Sequence, residues 1–140
     1  METIIDNQRV STQKKLEKMF GHIDYKNPPE SCPVRDVMSV ASDQWSTLIL
    51  LWLGYFKVLR FNKLQKYVYG ISNKVLSQRL KVLEAEGYLN REAYPEVPIR
   101  VEYSLTPFGQ AYVVKLLELT EWMQKNSPKV LANREKYGLQ

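Results

Sequence analysis

RFNKLQKYVYGISNKVLSQRLKVLEAEGYLNREAYPEVPIR, residues 60–100, is the stretch whose reading decides the fold. Its centre predicts a helix from about Asn73 to Glu86. Leu76, Leu80 and Leu83 recur at three- and four-residue spacing, and Val75 and Val82 widen the stripe, so one side of the helix is made for burial. Ser72 is placed to cap it, its hydroxyl accepting from a free amide of the first turn. Gly87 is placed to end it in the left-handed conformation. The other side carries Asn73, Lys74, Ser77, Gln78, Lys81 and, near its edge, Arg79. Such side chains donate to phosphates, and several match base edges. They also occur on any solvated helix, so the helix alone leaves both readings open.

The neighbours decide between them. Asn62 is placed to cap a shorter helix, Lys63 to Tyr69, with Leu64 and Val68 facing inward and Gly70 closing it. Only Gly70 and Ile71 then separate it from the Ser72 cap, which is the spacing of a helix-turn-helix. After the second helix, Tyr88–Glu92 and Ile99–Leu105 read as strands. In the latter, Ile99, Val101, Tyr103 and Leu105 alternate with Arg100, Glu102 and Ser104, the period of a half-buried strand. The connection Ala93–Pro98 holds two prolines and projects as a hairpin. Lys57–Arg60 adds a short strand to the same sheet. Helix, turn, helix and hairpin describe a winged helix-turn-helix, an α+β fold that is mostly α.

Charge is distributed accordingly. Residues 60–100 hold eight Lys/Arg against four Asp/Glu, whereas residues 1–59 hold seven of each. Nearly all of the chain's net +5 therefore falls on the proposed reading unit, where an electrostatic footprint for phosphates belongs.

Four segments carry a resemblance to a known family: CPVRDVM (32–38), LRFNKLQ (59–65), GISNKVLSQRLKVLEAEGYLNR (70–91) and YPEVPIRVEYSLTPFG (94–109), together with Trp45. Over residues 32–123 the chain resembles the HxlR family of bacterial winged helix-turn-helix transcriptional regulators. The resemblance implies a dimeric DNA-binding repressor or activator. It also implies oxidant or electrophile sensing at Cys32, since some members use the cysteine at this position. One departure stands out: the family usually has Gly-Gly-Lys-Trp where this chain has Ser42-Asp43-Gln44-Trp45, which removes a cation and a flexible turn near a helix start.

On this reading Arg60, Lys63, Lys66, Asn73, Lys74, Ser77, Gln78, Arg79, Lys81, Arg91 and Arg100 are the DNA-binding residues. Phosphate contacts come from Lys63, Lys66, Lys74 and Arg100, and base contacts from Asn73, Ser77, Gln78 and Arg79. Arg91 and Arg100 lie on opposite strands of the hairpin. For Arg100 an ion pair with Glu92 or Glu102 is an equal alternative.

Outside this unit the sequence is less specific. Residues 4–20 form a weakly amphipathic helix, and Gly21 with Pro28-Pro29 marks a linker. Pro33 opens a helix to about Ala41. Cys32 sits at its start beside Arg35, an environment that favours thiolate. A half-buried structural cysteine is the plainer alternative. Asp43 caps a helix from Gln44 to Tyr55 that is apolar nearly all round, the mark of a central core helix. Trp45 and Trp52 on it are expected in the core rather than lining a ligand cavity. Thr106-Pro107 starts a helix to about Asn126, ended by Pro128. Phe108, Tyr112, Leu116, Leu119, Trp122 and Met123 give it more apolar surface than one small core needs, so they are expected to form a two-fold dimer interface. The domain bounds read 1–31 for an N-terminal helix and linker, 32–126 for the winged helix-turn-helix, and 127–140 for a tail.

One His and one Cys cannot build a Cys/His zinc site, and no phosphate-cradling Gly-rich loop is present, so neither an enzyme nor a metal or cofactor is expected. METIIDNQRV lacks an apolar signal core, and no apolar run approaches the ~20 residues of a bilayer span. The expected place is the cytoplasm. The expected partners are double-stranded DNA with a pseudo-palindromic operator and a second copy of the chain, with room left for a small-molecule effector. The competing reading is a protein-interaction winged helix that does not read DNA.

Overall fold

The computed structural model describes residues 2–24, 26–30 and 32–139. The chain divides into two compact units, Met1–Asp36 and Val37–Gln140. The first holds helix α1 (Glu2–Phe20), a turn-rich connection and the opening of α2 (Pro33–Ala41).

The second unit begins with the end of α2 and continues through α3 (Gln44–Phe56), β1 (Val58–Arg60), α4 (Phe61–Tyr67), α5 (Asn73–Ala85), β2 (Leu89–Tyr94), β3 (Arg100–Leu105) and α6 (Pro107–Lys136). Asp43 caps α3 as expected, its carboxylate accepting from the Trp45 and Ser46 amides at 3.0 and 3.1 Å. Ile49, Leu50 and Leu53 on α3 are fully buried with Leu64, Leu76, Leu80, Leu83 and Leu89. Each such side chain contributes ~1.5–3 kcal/mol relative to exposure. The core thus lies where α3 meets α4, α5 and the sheet.

Only part of α3 is enclosed. Leu48, Tyr55 and Phe56 are exposed and Trp52 is half-buried. Trp45 packs against the core as expected. Trp52 touches the core too, but its outer side lines an open groove, a correction to the expectation of plain core packing.

The three strands form an antiparallel sheet in the order β1-β3-β2. The β2–β3 ladder runs from Leu89↔Leu105 to Tyr94↔Arg100, so the turn is shorter than expected. Both prolines lie in that turn, outside the ladder, and the Val97–Pro98 peptide is cis. Ile99, expected in the strand, is exposed in the turn.

Two helices differ at their ends. α4 starts at Phe61, with Arg60 at its N-cap and no side-chain cap bond; Asn62 lies inside the first turn. The reason is local: β1 runs directly into α4 and leaves no residue for a capping turn. α4 also stops at Tyr67, which leaves Tyr69 in the turn, 93% exposed.

The larger difference is α6, which passes through Pro128 to Lys136 rather than ending near Asn126, so the expected 126/127 boundary falls inside a helix. Proline removes the amide that would bond to the Gln124 carbonyl. That carbonyl instead accepts from the Ser127 hydroxyl at 3.0 Å, which meets much of the need a proline creates. The start of α6 follows expectation. The Thr106 hydroxyl accepts from the Gly109 amide at 2.9 Å and donates to the Gly87 carbonyl at 2.6 Å. One side chain thereby ties the end of α5 to the start of α6.

Leu116 is 6% exposed and belongs to the core of its own chain, which corrects its expected place in a dimer interface. Tyr112 is half-buried, its ring 5.1 Å from that of Tyr88 and its hydroxyl 3.3 Å from the Ser42 hydroxyl. Both face inward because α6 lies across α3 and the sheet. Burial, first, and the neighbouring Tyr112 raise the Tyr88 phenol above its ordinary range.

Candidate nucleic-acid interface

Helix α5 is built as the sequence reading requires. The Ser72 hydroxyl accepts from the Val75 amide at 3.1 Å, and Gly87 takes φ +89° just past the helix end. Leu76, Leu80 and Leu83 are buried, which fixes the rotation of the helix. Asn73, Lys74, Gln78 and Lys81 are consequently exposed together on the opposite side, with Ser77 half-buried between them. On α4, Lys63 and Lys66 are exposed, and on the sheet so are Arg60 and Arg91. Among the described residues none of these six Lys and Arg side chains forms an ion pair. Their charge is presented on the reading unit.

Two expected contributors are placed otherwise. Arg79 turns back from the face of α5 and pairs with Asp43 at 3.3 Å, and both side chains are largely buried. Asp43 therefore does two jobs, capping α3 and holding α5 against it. Residues this far apart in sequence gave no signal of the pair. Arg79 is thus tied to α3 instead of standing free on the exposed face of α5.

Arg100 is similarly committed. It pairs with Glu96 and Glu102, each at 3.2 Å, and its guanidinium lies 3.9 Å from the centre of the Tyr94 ring. The ion-pair alternative is the one realised, with Glu96 taking the place expected of Glu92. The hairpin tip thus shows exposed Val97 and Ile99 rather than a free cation, and among the described residues Arg91 is the hairpin cation that forms no ion pair. The sequence reading placed Tyr69 at the end of α4, and the structure places it beyond that end. Its phenol projects from the turn between α4 and α5, a placement that follows from α4 ending two residues early.

Cys32 belongs to the first unit. It is half-buried at a recess of about 470 Å³ lined in part by Met19, Phe20, His22 and Ile23. Arg35, the cation expected to act on the thiol, is engaged elsewhere: it donates to the Asp36 carboxylate at 3.0 Å and to the Glu30 carbonyl at 3.2 Å. The Arg35 hydrogen bond, then the Cys32 amide, hold the Asp36 carboxyl below its ordinary range. Any stability this gives is present above the ordinary carboxylate range and is lost as pH falls through the lowered value. Among the described residues no group of His, Cys, Asp and Glu could hold a metal ion.

With this geometry in view, comparisons with known proteins agree. The HxlR-like helix-turn-helix family pattern matches residues 40–130. The chain is 44% identical over 106 residues to the HTH-type transcriptional regulator YtfH of Escherichia coli strain K12, a match covering 76% of this chain and 83% of that one. Its fold is similar to that of the transcriptional regulator ytfH from Salmonella typhimurium, with a TM-score of 0.70, 44% identity, and coverage of 76% of this chain and 95% of that one. It is also similar to the redox regulator HypR in its reduced form, with a TM-score of 0.65, 33% identity, and coverage of 72% and 99%. A family pattern spanning most of the chain, relatives at this level of identity and a shared winged fold place the protein in the HxlR-like helix-turn-helix family of transcriptional regulators.

Proposed function

We propose that this regulator acts in the cytoplasm as a homodimeric repressor that binds a pseudo-palindromic operator in double-stranded DNA, with α5 in the major groove. The observation that carries the reading is the exposed side of α5, where Asn73, Lys74, Gln78 and Lys81 stand together on a helix whose back is locked in the core. Lys63, Lys66 and Lys74 hold phosphates and set register, while Asn73, Ser77 and Gln78 read base edges. Arg60, Lys81 and Arg91 extend the positive surface. Arg79 and Arg100 act through α5 and the hairpin rather than by touching DNA.

The dimer follows from α6. Phe108, Leu119, Trp122 and Met123 are each at least half exposed, more apolar surface than a monomer usually leaves uncovered. Two-fold pairing through this side would set two copies of α5 on half-sites ~10 bp apart or a multiple of that. The Thr106 clamp between α6 and α5 would carry the dimer geometry to the reading helices. No helix among the described residues is long and apolar enough to cross a membrane.

Gln78→Ala tests the assignment. It is expected to lower affinity for the preferred operator by ~1–3 kcal/mol, relax the preference at one or two base pairs and leave binding to random duplex unchanged. Equal losses on specific and random duplex, measured by fluorescence anisotropy, would remove Gln78 from the reading set.

The same α6 surface would serve a protein-interaction module equally well. That reading predicts no salt-dependent affinity for duplex DNA.

Redox control is proposed through Cys32, on the strength of its half-buried place beside an apolar recess and of the similarity to the redox regulator HypR. With one cysteine per chain, a disulfide must join two chains or capture a small thiol. Diamide is expected to change DNA affinity of the native chain and not of Cys32→Ser. Equal responses would exclude Cys32.

A further inference from the structure

The groove left open beside α3 is not used by the reading unit. Its volume is about 1110 Å³, slightly above the ~300–1,000 Å³ usual for a small-molecule site, and its walls come from α3, α4 and α6. Its apolar wall is aromatic. Trp52, Phe56 and Tyr67 form a continuous cluster, with ring centres 5.0 Å apart for Trp52–Tyr67 and 4.6 Å for Phe56–Tyr67. Tyr55 adds an edge-on contact to both Trp52 and Phe56. Among the described residues lining the groove, Glu121 is the one charged side chain, and it makes no ion pair.

Aromatic faces attract cations, most strongly where water is excluded, and a carboxylate at the rim adds the matching charge. A neutral apolar occupant would leave Glu121 uncompensated, and an anion would be repelled by it. The groove also lies on a different side of α6 from the one proposed above for the dimer. At 3.6 residues per turn, Leu117, Glu121 and Gln124 fall on the opposite side of α6 from Leu119, Trp122 and Met123.

We propose that this groove is a binding site for lipophilic aromatic organic cations, seated on the Trp52–Phe56–Tyr67 cluster with the positive centre toward Glu121. Tyr67 closes α4, the first helix of the reading unit, so an occupant would touch that unit directly. The binding itself does not depend on DNA reading.

The test is a titration of the full chain, without DNA, with ethidium as a planar cation. Neutral phenanthridine and anionic anilinonaphthalene sulfonate serve as comparison probes. Saturable binding of one ethidium per chain is expected. Glu121→Gln should weaken it about fivefold at low salt, with the difference shrinking as salt rises. Glu118→Gln, an exposed acid outside the groove, should leave it unchanged. Both variants should melt with the native chain. Equal affinity for phenanthridine or the sulfonate, or an unchanged ethidium affinity in Glu121→Gln, would overturn the proposal. So would the absence of saturable binding.

Discussion

Replacing Lys63, Lys66 and Lys74 together by alanine is expected to lower affinity for any duplex about 100-fold near physiological salt and to reduce the salt slope by about three units. The basis is counterion release: each lysine that neutralises a phosphate frees close to one condensed ion. All three side chains are exposed, none is ion-paired among the described residues, and they sit on the two helices of the reading unit. The matched control is Lys115, Lys125 and Lys129 to alanine, three exposed lysines on α6 that remove the same charge elsewhere. If charge at the reading unit matters, the control loses far less. Equal losses in the two triple variants would mean that DNA sees only net charge. An unchanged slope in the first would remove those lysines from the interface.

The largest expected stability effect comes from Gly109→Ala. A Cβ at this position would meet the Tyr88 carbonyl oxygen, a backbone atom that cannot rotate away. The first turn of α6 is pressed there by the Thr106 clamp, so relief requires α6 to move off the sheet. The expected cost is about 3 kcal/mol. That corresponds to a fall in Tm of roughly 10 °C for a chain of this size. Gly87→Ala gives a useful contrast. Nothing lies within 4 Å of a Cβ there, and its cost of ~1–2 kcal/mol would come from the left-handed backbone alone. A Gly109→Ala protein melting within a few degrees of the native chain would show that α6 does not approach Tyr88 so closely.

The reading unit was legible because its signals are local. A leucine stripe, a serine cap and a terminal glycine fix both the extent and the rotation of α5, and rotation decides which side chains are exposed. The alternation in β3 and the prolines after β2 defined the hairpin to within two residues. What stayed hidden depends on contacts between distant residues. The pairing of Arg79 with Asp43 follows from the packing of α5 on α3, which no spacing reports. Arg100 could be read as free or paired, and only the hairpin's closure, bringing Glu96 and Tyr94 to it, chose between them. Pro128 looks like a helix end in sequence, yet Ser127 occupies the Gln124 carbonyl and the helix continues.

The same distinction explains the dimer residues and the groove. Hydrophobic count along α6 indicated surplus apolar surface, but it could not divide that surface between the core, which takes Leu116, and the outside, which keeps Trp122. A helix apolar all round suggested that α3 is fully enclosed. Nothing in a periodicity reveals that its Trp52 side would remain partly open.

Selection of bound duplexes from a random library, followed by a salt titration of the enriched sequence, tests the central claim most directly. An enriched inverted repeat whose half-sites lie about one helical turn or a multiple apart, bound with a steep salt slope, is the predicted result. Enrichment of no sequence, or no binding at low salt, would contradict a dimer that reads bases through Asn73, Ser77 and Gln78.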